Sequence, residues 1–181
     1  MSTPSAQPQP AAPAIEPWLR GAVPGLHPAL GALIHSFQQA REDLARFTAG
    51  LNDAQIWETP YGLAPVGFQL RHIAGSVERL TTYLTGGSLS DEQLRTMRSE
   101  KDAEGGREDL LSRIDQSFER TEAIVRSIDP ATLADPRGIG RKQLPTTVGG
   151  LVIHLAEHTQ RHVGEAIVTA KLVRAVAAAN M

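Results

Sequence analysis

The chain has 181 residues, a formal net charge of −2, no cysteine and only 4% aromatic residues. That length suits one domain with one sizeable core. The missing thiols exclude disulfides, iron–sulfur clusters, thiolate zinc sites and a cysteine nucleophile, and the near-neutral charge gives no footprint for nucleic acid or for a membrane surface.

With so few aromatics, Leu, Ile, Val and Ala must fill the interior, which suits packed helices better than a β-sandwich. The opening "MSTPSAQPQPAAPAIEP" has neither a basic start nor an apolar run, so it does not read as a signal peptide. Its Pro, Ala, Ser and Gln content predicts a disordered arm over residues 1–17. No apolar stretch is long enough to span a membrane, and with the absence of cysteine this fits a cytoplasmic setting.

Residues 18–175 read as one all-α domain. Leu30, Leu33, Ile34, Phe37, Leu44, Phe47 and Leu51 recur at helical spacing and define a first long helix that ends near Gly50 and Asn52. "NDAQIW" predicts a short turn of helix capped by Asn52 or Asp53, and "ETPYGLAPVGF" reads as a loop. A second long helix carries Val66, Leu70, Ile73, Val77, Leu80 and Leu84 and stops at Gly86 and Gly87. "SLSDEQLRTMRSEKDAEGG" predicts a short, exposed, charged helix, opened by a Ser90–Gln93 capping box and closed by Gly105 and Gly106. The third long helix has Leu110, Leu111, Ile114, Phe118, Val125 and Ile128 facing inward. "DPATLADPRGIGRKQLPTTVGG" is read as a long loop, of a length that is often functional. The fourth long helix starts near Thr146 or Thr147 and passes Val173, with residues 176–181 frayed. Four long amphipathic helices predict a four-helix bundle with one short extra helix; no alternating strand pattern competes.

The stretch "VIHLAEHTQRHVGE" holds three of the six histidines at four-residue intervals: His154, His158 and His162. Four residues turn an α-helix by about 400°, so the three rings form one gently drifting stripe. Leu155, Thr159, Ala166 and Val173 border it, at the edge of the face that meets the other helices. Two imidazoles at i and i+4 can chelate one metal ion. His72, on the flank of the second helix with Phe68, Ser76 and Tyr83, is placed to offer a third nitrogen. Against this stands a solvated helix edge, which would carry the same three rings without a ligand. His27, before Pro28, reads as a loop or cap residue, and His35 as structural. No histidine has the Glu three residues before it that a ferritin-like site requires, and "HTQRH" lacks the glutamate of HExxH.

"LRHIAGSVERLTTYL" followed by "LPTTVGGLVIHLAEHTQRHVGEAI" resembles the DinB-like (DinB/YfiT) family, as does the earlier "GLNDAQIWETPYGLAPVGFQLRHI". The resemblance covers about residues 26–174. It implies a four-helix bundle holding a divalent metal on three histidines, and the matching positions are His72, His158 and His162. His154, one turn earlier, would then be a partner to a ligand, an alternative ligand or a substrate-facing base. Glu165 stands where the family usually has Gln, and a carboxylate there would orient a ligand or add negative charge near the metal. Family members of known activity include thiol-dependent S-transferases and a thiol-using maleylpyruvate isomerase.

The resemblance therefore implies a metal-dependent enzyme of thiol-transfer type acting on a small molecule, with zinc or nickel preferred. A low-molecular-weight thiol would arrive as cosubstrate, since the chain has none of its own. Tyr83 and His154 are the candidate proton-handling groups. Among Arg71, Arg137, Arg141, Lys142 and Arg161, one or two would hold a carboxylate-bearing cosubstrate, with Arg141 and Lys142 the candidates. The alternative is a metal- or small-ligand-binding protein without turnover. Bundles of this kind often pair through exposed helix faces, so a homodimer is a candidate assembly, though no unambiguous patch marks one.

Overall fold

Leu30, Leu33, Ile34, Phe37, Ala40 and Leu44 repeat every three or four positions, and they turn one face of helix α1 (Pro28–Thr48) fully inward. The computed structural model describes residues 15–179. It is mostly helical, with α2 at Asp53–Ile56, α3 at Val66–Leu84, α4 at Asp91–Ser99, α5 at Arg107–Arg126 and α6 at Val148–Ala179. Among the four long helices, α6 packs against α1 and α3, and α5 against α3 and α1, around one apolar core. None of the described helices is long and apolar enough to cross a membrane.

The helix ends follow local chemistry. His27 caps α1, its Nδ1 accepting from the Ala29 amide at 3.3 Å, with Pro28 opening the helix. Asn52 caps α2 in a capping box with Gln55, and Ser90 caps α4 in another with Gln93. At the start of α3, a Cβ on Gly67 would lie 2.7 Å from the Trp57 indole, so glycine is what lets that ring lie flat on the helix. The indole Nε1 then donates to Gly105 O at 2.9 Å, fastening the chain that leads into α5.

Three boundaries differ from those the sequence suggests. Residues 1–14 of the expected arm lie outside the described residues, but Pro17–Leu19 form a 3-10 turn with Pro17 buried, and Arg20 bonds Glu42 on α1 at 2.5 and 2.8 Å. Helix α6 continues through 176–179, where fraying was expected; residues 180–181 lie outside the described residues. The long loop before α6 contains an antiparallel hairpin, β1 (Pro136–Ile139) and β2 (Leu144–Thr147), so the protein is not purely helical. Its strands have only four residues each and carry Pro and Gly, which erases the alternation by which a strand is recognised. The turn between them places Gly140 and Gln143 at positive φ. The hairpin clips the two site-bearing helices together: Arg137 Nε donates to Leu84 O at 2.9 Å, at the end of α3, and Val148 N donates to Asp135 O at 3.0 Å, at the start of α6.

Candidate metal centre

Leu70, Ile73 and Val77 are buried on α3, and Leu155, Thr159 and Val163 are buried on α6. Residues beside those stripes meet at the seam where the two helices pack. His72 comes from the α3 flank, and His158 and His162 come from successive turns of α6. One nitrogen from each of the three rings falls within 4.8 Å of the others. His72 Nε2 and His158 Nε2 are 3.1 Å apart. The His162 ring centroid lies 4.3 Å from that of His72 and 4.6 Å from that of His158. Phe68 stacks on the outer face of His72 at 5.6 Å, an apolar wall one turn away on α3.

The back nitrogens decide which front nitrogens are free. His72 Nδ1 faces Glu100 Oε2 at 2.8 Å. His162 Nδ1 faces Gln69 Oε1 at 2.8 Å and Glu165 Oε2 at 3.1 Å. Those oxygens only accept, so both Nδ1 atoms carry the proton and both Nε2 atoms present lone pairs. A divalent ion at about 2.0–2.1 Å from each nitrogen sets neighbouring ligands about 3.3 Å apart in tetrahedral geometry and about 2.9 Å in octahedral geometry. The His72–His158 separation of 3.1 Å falls between the two. His158 Nδ1 is buried without a hydrogen-bond partner, a cost of about 1–3 kcal/mol that protein contacts do not offset. The donor set is thus three imidazoles with the tautomer of two fixed from behind, which fits a borderline divalent cation.

The electrostatics favour the neutral form of His158 and His162. Burial, and then the neighbouring His162, His72 and His154, push His158 from 6.5 down to about 4. His162 is lowered as well, first by burial and then by His72, with Glu165 opposing. Glu100 is buried, which by itself would raise it; the hydrogen bonds from His72 and from Arg79, at 2.6 Å, outweigh that and hold it below the usual 4.5. Neutral imidazoles are the metal-binding form. The sign of the pH dependence follows for the metal-free protein. Between about pH 4 and 6.5 the unfolded chain takes up a proton at His158 that the native protein refuses. Stability is therefore level above that window and is lost as the pH falls through it, with His162 acting in the same direction. Urea unfolding of the chelated protein should show its midpoint dropping from pH 6.5 downward; a level midpoint across the window would contradict the buried neutral rings.

Other expected site residues fall elsewhere. His154 is half-buried, its Nδ1 2.5 Å from Glu157 Oε1, and its ring centroid lies 5.2 Å from that of His158; it stands beside the three nitrogens, not among them. Glu165 is half exposed and shares the His162 Nδ1 with Gln69. Tyr83 is on the same face of α3 as His72 but three turns further on, about 16 Å at 1.5 Å per residue, so it is not brought to the site. Arg141 and Lys142 occupy the exposed hairpin turn. That turn rises from strands clipped to the Leu84 end of α3, about 18 Å along the helix from His72. Arg71 is committed to Asp102 O at 2.6 Å and Arg161 to Glu157 at 2.7 Å. Gln69 and Glu100, which hold the ring tautomers, were not anticipated. Gln69 had a local signal, standing one turn before His72 on α3; Glu100 had none.

The sequence pattern of the DinB superfamily matches residues 36–166, a span that includes His72, His158 and His162. A comparison with curated proteins gives no match. A match over well more than half of the chain, with the three histidines brought together inside it, establishes that this chain belongs to the DinB superfamily.

Proposed function

We propose that the four long helices form a four-helix bundle of the DinB/YfiT type, built around a divalent metal held by His72, His158 and His162 and acting in thiol-dependent transfer or isomerisation of a small molecule. The single observation behind the metal is that Glu100 and Gln69 occupy the back nitrogens of His72 and His162, leaving their Nε2 lone pairs free, while one nitrogen from each of His72, His158 and His162 lies within 4.8 Å of the others. A divalent ion on three neutral ligands would keep its full charge and supply Lewis acidity to a bound water or thiol. Zinc or nickel suits the donors.

The chain's own groups have separate roles in this reading. Glu100 and Gln69 hold two rings in the coordinating tautomer, and Phe68 shields one side from water. His154, with Nδ1 engaged by Glu157, presents its Nε2 at the exposed rim and is the group placed to take or give a proton there. The chain has no cysteine, so the thiol enters as a cosubstrate.

Protein purified without a histidine tag should carry about one zinc or nickel ion per chain by elemental analysis. It should consume a low-molecular-weight thiol in the presence of an electrophile only when loaded. Stoichiometric metal with no thiol consumption across several thiols would favour a binding protein without turnover. Metal-free protein that cannot be loaded would overturn the reading.

A further inference from the structure

Helix α4 buries none of its own residues. What fastens it to α3 is polar: Gln93 Nε2 donates to Thr82 Oγ1 at 2.8 Å, Arg71 Nη1 donates to Asp102 O at 2.6 Å just past its end, and Glu100 inserts at its C-cap. Glu100 is only 5% exposed, in a segment whose composition is otherwise that of a solvated helix. One carboxylate oxygen takes Arg79 Nη1 at 2.6 Å and the other takes His72 Nδ1 at 2.8 Å. The space for this contact is specific. A Cβ on Gly75 would lie 2.5 Å from Glu100 Oε1 and 2.8 Å from Arg79 Nη1, so the glycine leaves the room in which the pair closes down on α3, and any side chain there would push the two groups aside. The ion pair with Arg79 occupies one carboxylate oxygen, and the second is spent on His72.

We propose that Glu100 is a positioning residue of the metal centre and that, through it, metal loading and the docking of α4 are coupled. The inference rests on the metal reading given above. A cation on His72 Nε2 draws electron density from the ring and makes Nδ1–H a stronger donor to Glu100. Conversely, a docked carboxylate fixes the ring and raises the basicity of Nε2. By linkage, whatever loading does to docking, docking does to metal affinity. The segment 88–106 thereby reports on the state of the site while contributing no ligand to it.

The test uses the full chain, stripped with chelator and titrated with zinc. Three proteins are compared: wild type, Glu100→Ala, and Glu100→Gln, which keeps an acceptor for the His72 N–H. Amide hydrogen exchange over residues 91–102 is followed with and without zinc. Glu100→Ala should bind zinc about 10- to 100-fold more weakly, and Glu100→Gln should recover part of the loss. Zinc should slow exchange over 91–102 in the wild type and leave it unchanged in Glu100→Ala. A purely structural contact would not make α4 exchange respond to zinc at all. Should Glu100→Ala fail to fold, Gly75→Ala displaces the same carboxylate with every charge retained, and it should weaken zinc in the same direction. Wild-type protein that binds zinc while its 91–102 exchange ignores the metal, or variants that match its affinity, would overturn the coupling and leave the metal site standing. Wild-type protein that takes up no zinc overturns both.

Discussion

His158→Ala should strip the protein of its metal. Zinc held by four ligands in small folded peptides is worth about 10–16 kcal/mol, or about 2.5–4 kcal/mol per ligand, so losing one of three imidazoles weakens binding by about 70- to 900-fold. His158 is the ligand whose loss is cleanest to read. His72 also carries Glu100, and His162 also carries Gln69 and Glu165, so replacing either unsettles a second group. His158 Nδ1 has no such partner, and its removal strands nothing behind it. The variant should stay folded, should lose bound metal on gel filtration, and should lose the rise in melting temperature that added zinc gives the wild type. An unchanged metal content in that variant would mean that the three nitrogens do not share an ion. His154→Ala is the control on the same helix face: its ring stands outside the converging set, and metal content should persist.

The local parts of this architecture were legible because a helix writes its own periodicity into the chain. The stripes of α1, α3, α5 and α6 follow spacings of three and four, and the caps at Asn52 and Ser90 sit where short polar side chains precede an apolar run. The pairing of His158 with His162 was legible for the same reason. His72 is different: its place on the flank of α3 lets it offer a third nitrogen, but a lone histidine there is no strong sign of a role, and the family resemblance is what assigns it as a ligand with His158, 86 positions away. Glu100 was invisible because its partner lies 28 positions upstream and its neighbours, Arg98, Lys101 and Asp102, are those of a solvated surface. Tyr83 shares a face with His72 but not its height along α3, and Arg141 and Lys142, near α6 in sequence, sit in the exposed hairpin turn. A shared face fixes direction, but each residue of separation adds about 1.5 Å along the axis, and a few turns carry a side chain out of reach of a site one ion wide.

Phe118→Ala should separate the stability of the fold from the integrity of the site. Phe37 on α1 and Phe118 on α5 are both fully buried and stack with ring centroids 4.0 Å apart at an interplanar angle of 2°. The Arg41 guanidinium lies 5.1 Å from the Phe118 centroid, held between Asp115 at 3.0 Å and Glu122 at 2.6 Å. Removing the ring empties the centre of the α1–α5 seam and takes away the surface on which Arg41 rests. A buried Phe→Ala change costs about 3–5 kcal/mol, which for a chain of this size lowers the melting temperature by about 6–20 °C. His72, His158 and His162 lie on α3 and α6, and none of the partners of their Nδ1 atoms comes from α1 or α5. A ligand that binds only the native state stabilises by an amount set by its concentration over its dissociation constant, whatever the starting stability. Zinc should therefore stabilise Phe118→Ala by as much free energy as it stabilises the wild type, on a lower baseline, and should not stabilise His158→Ala. Urea unfolding of the three proteins, with and without zinc, reads both effects. If the zinc increment shrank in Phe118→Ala, the α1–α5 seam would be coupled to the metal centre, and the placement of the site on α3 and α6 alone would be wrong.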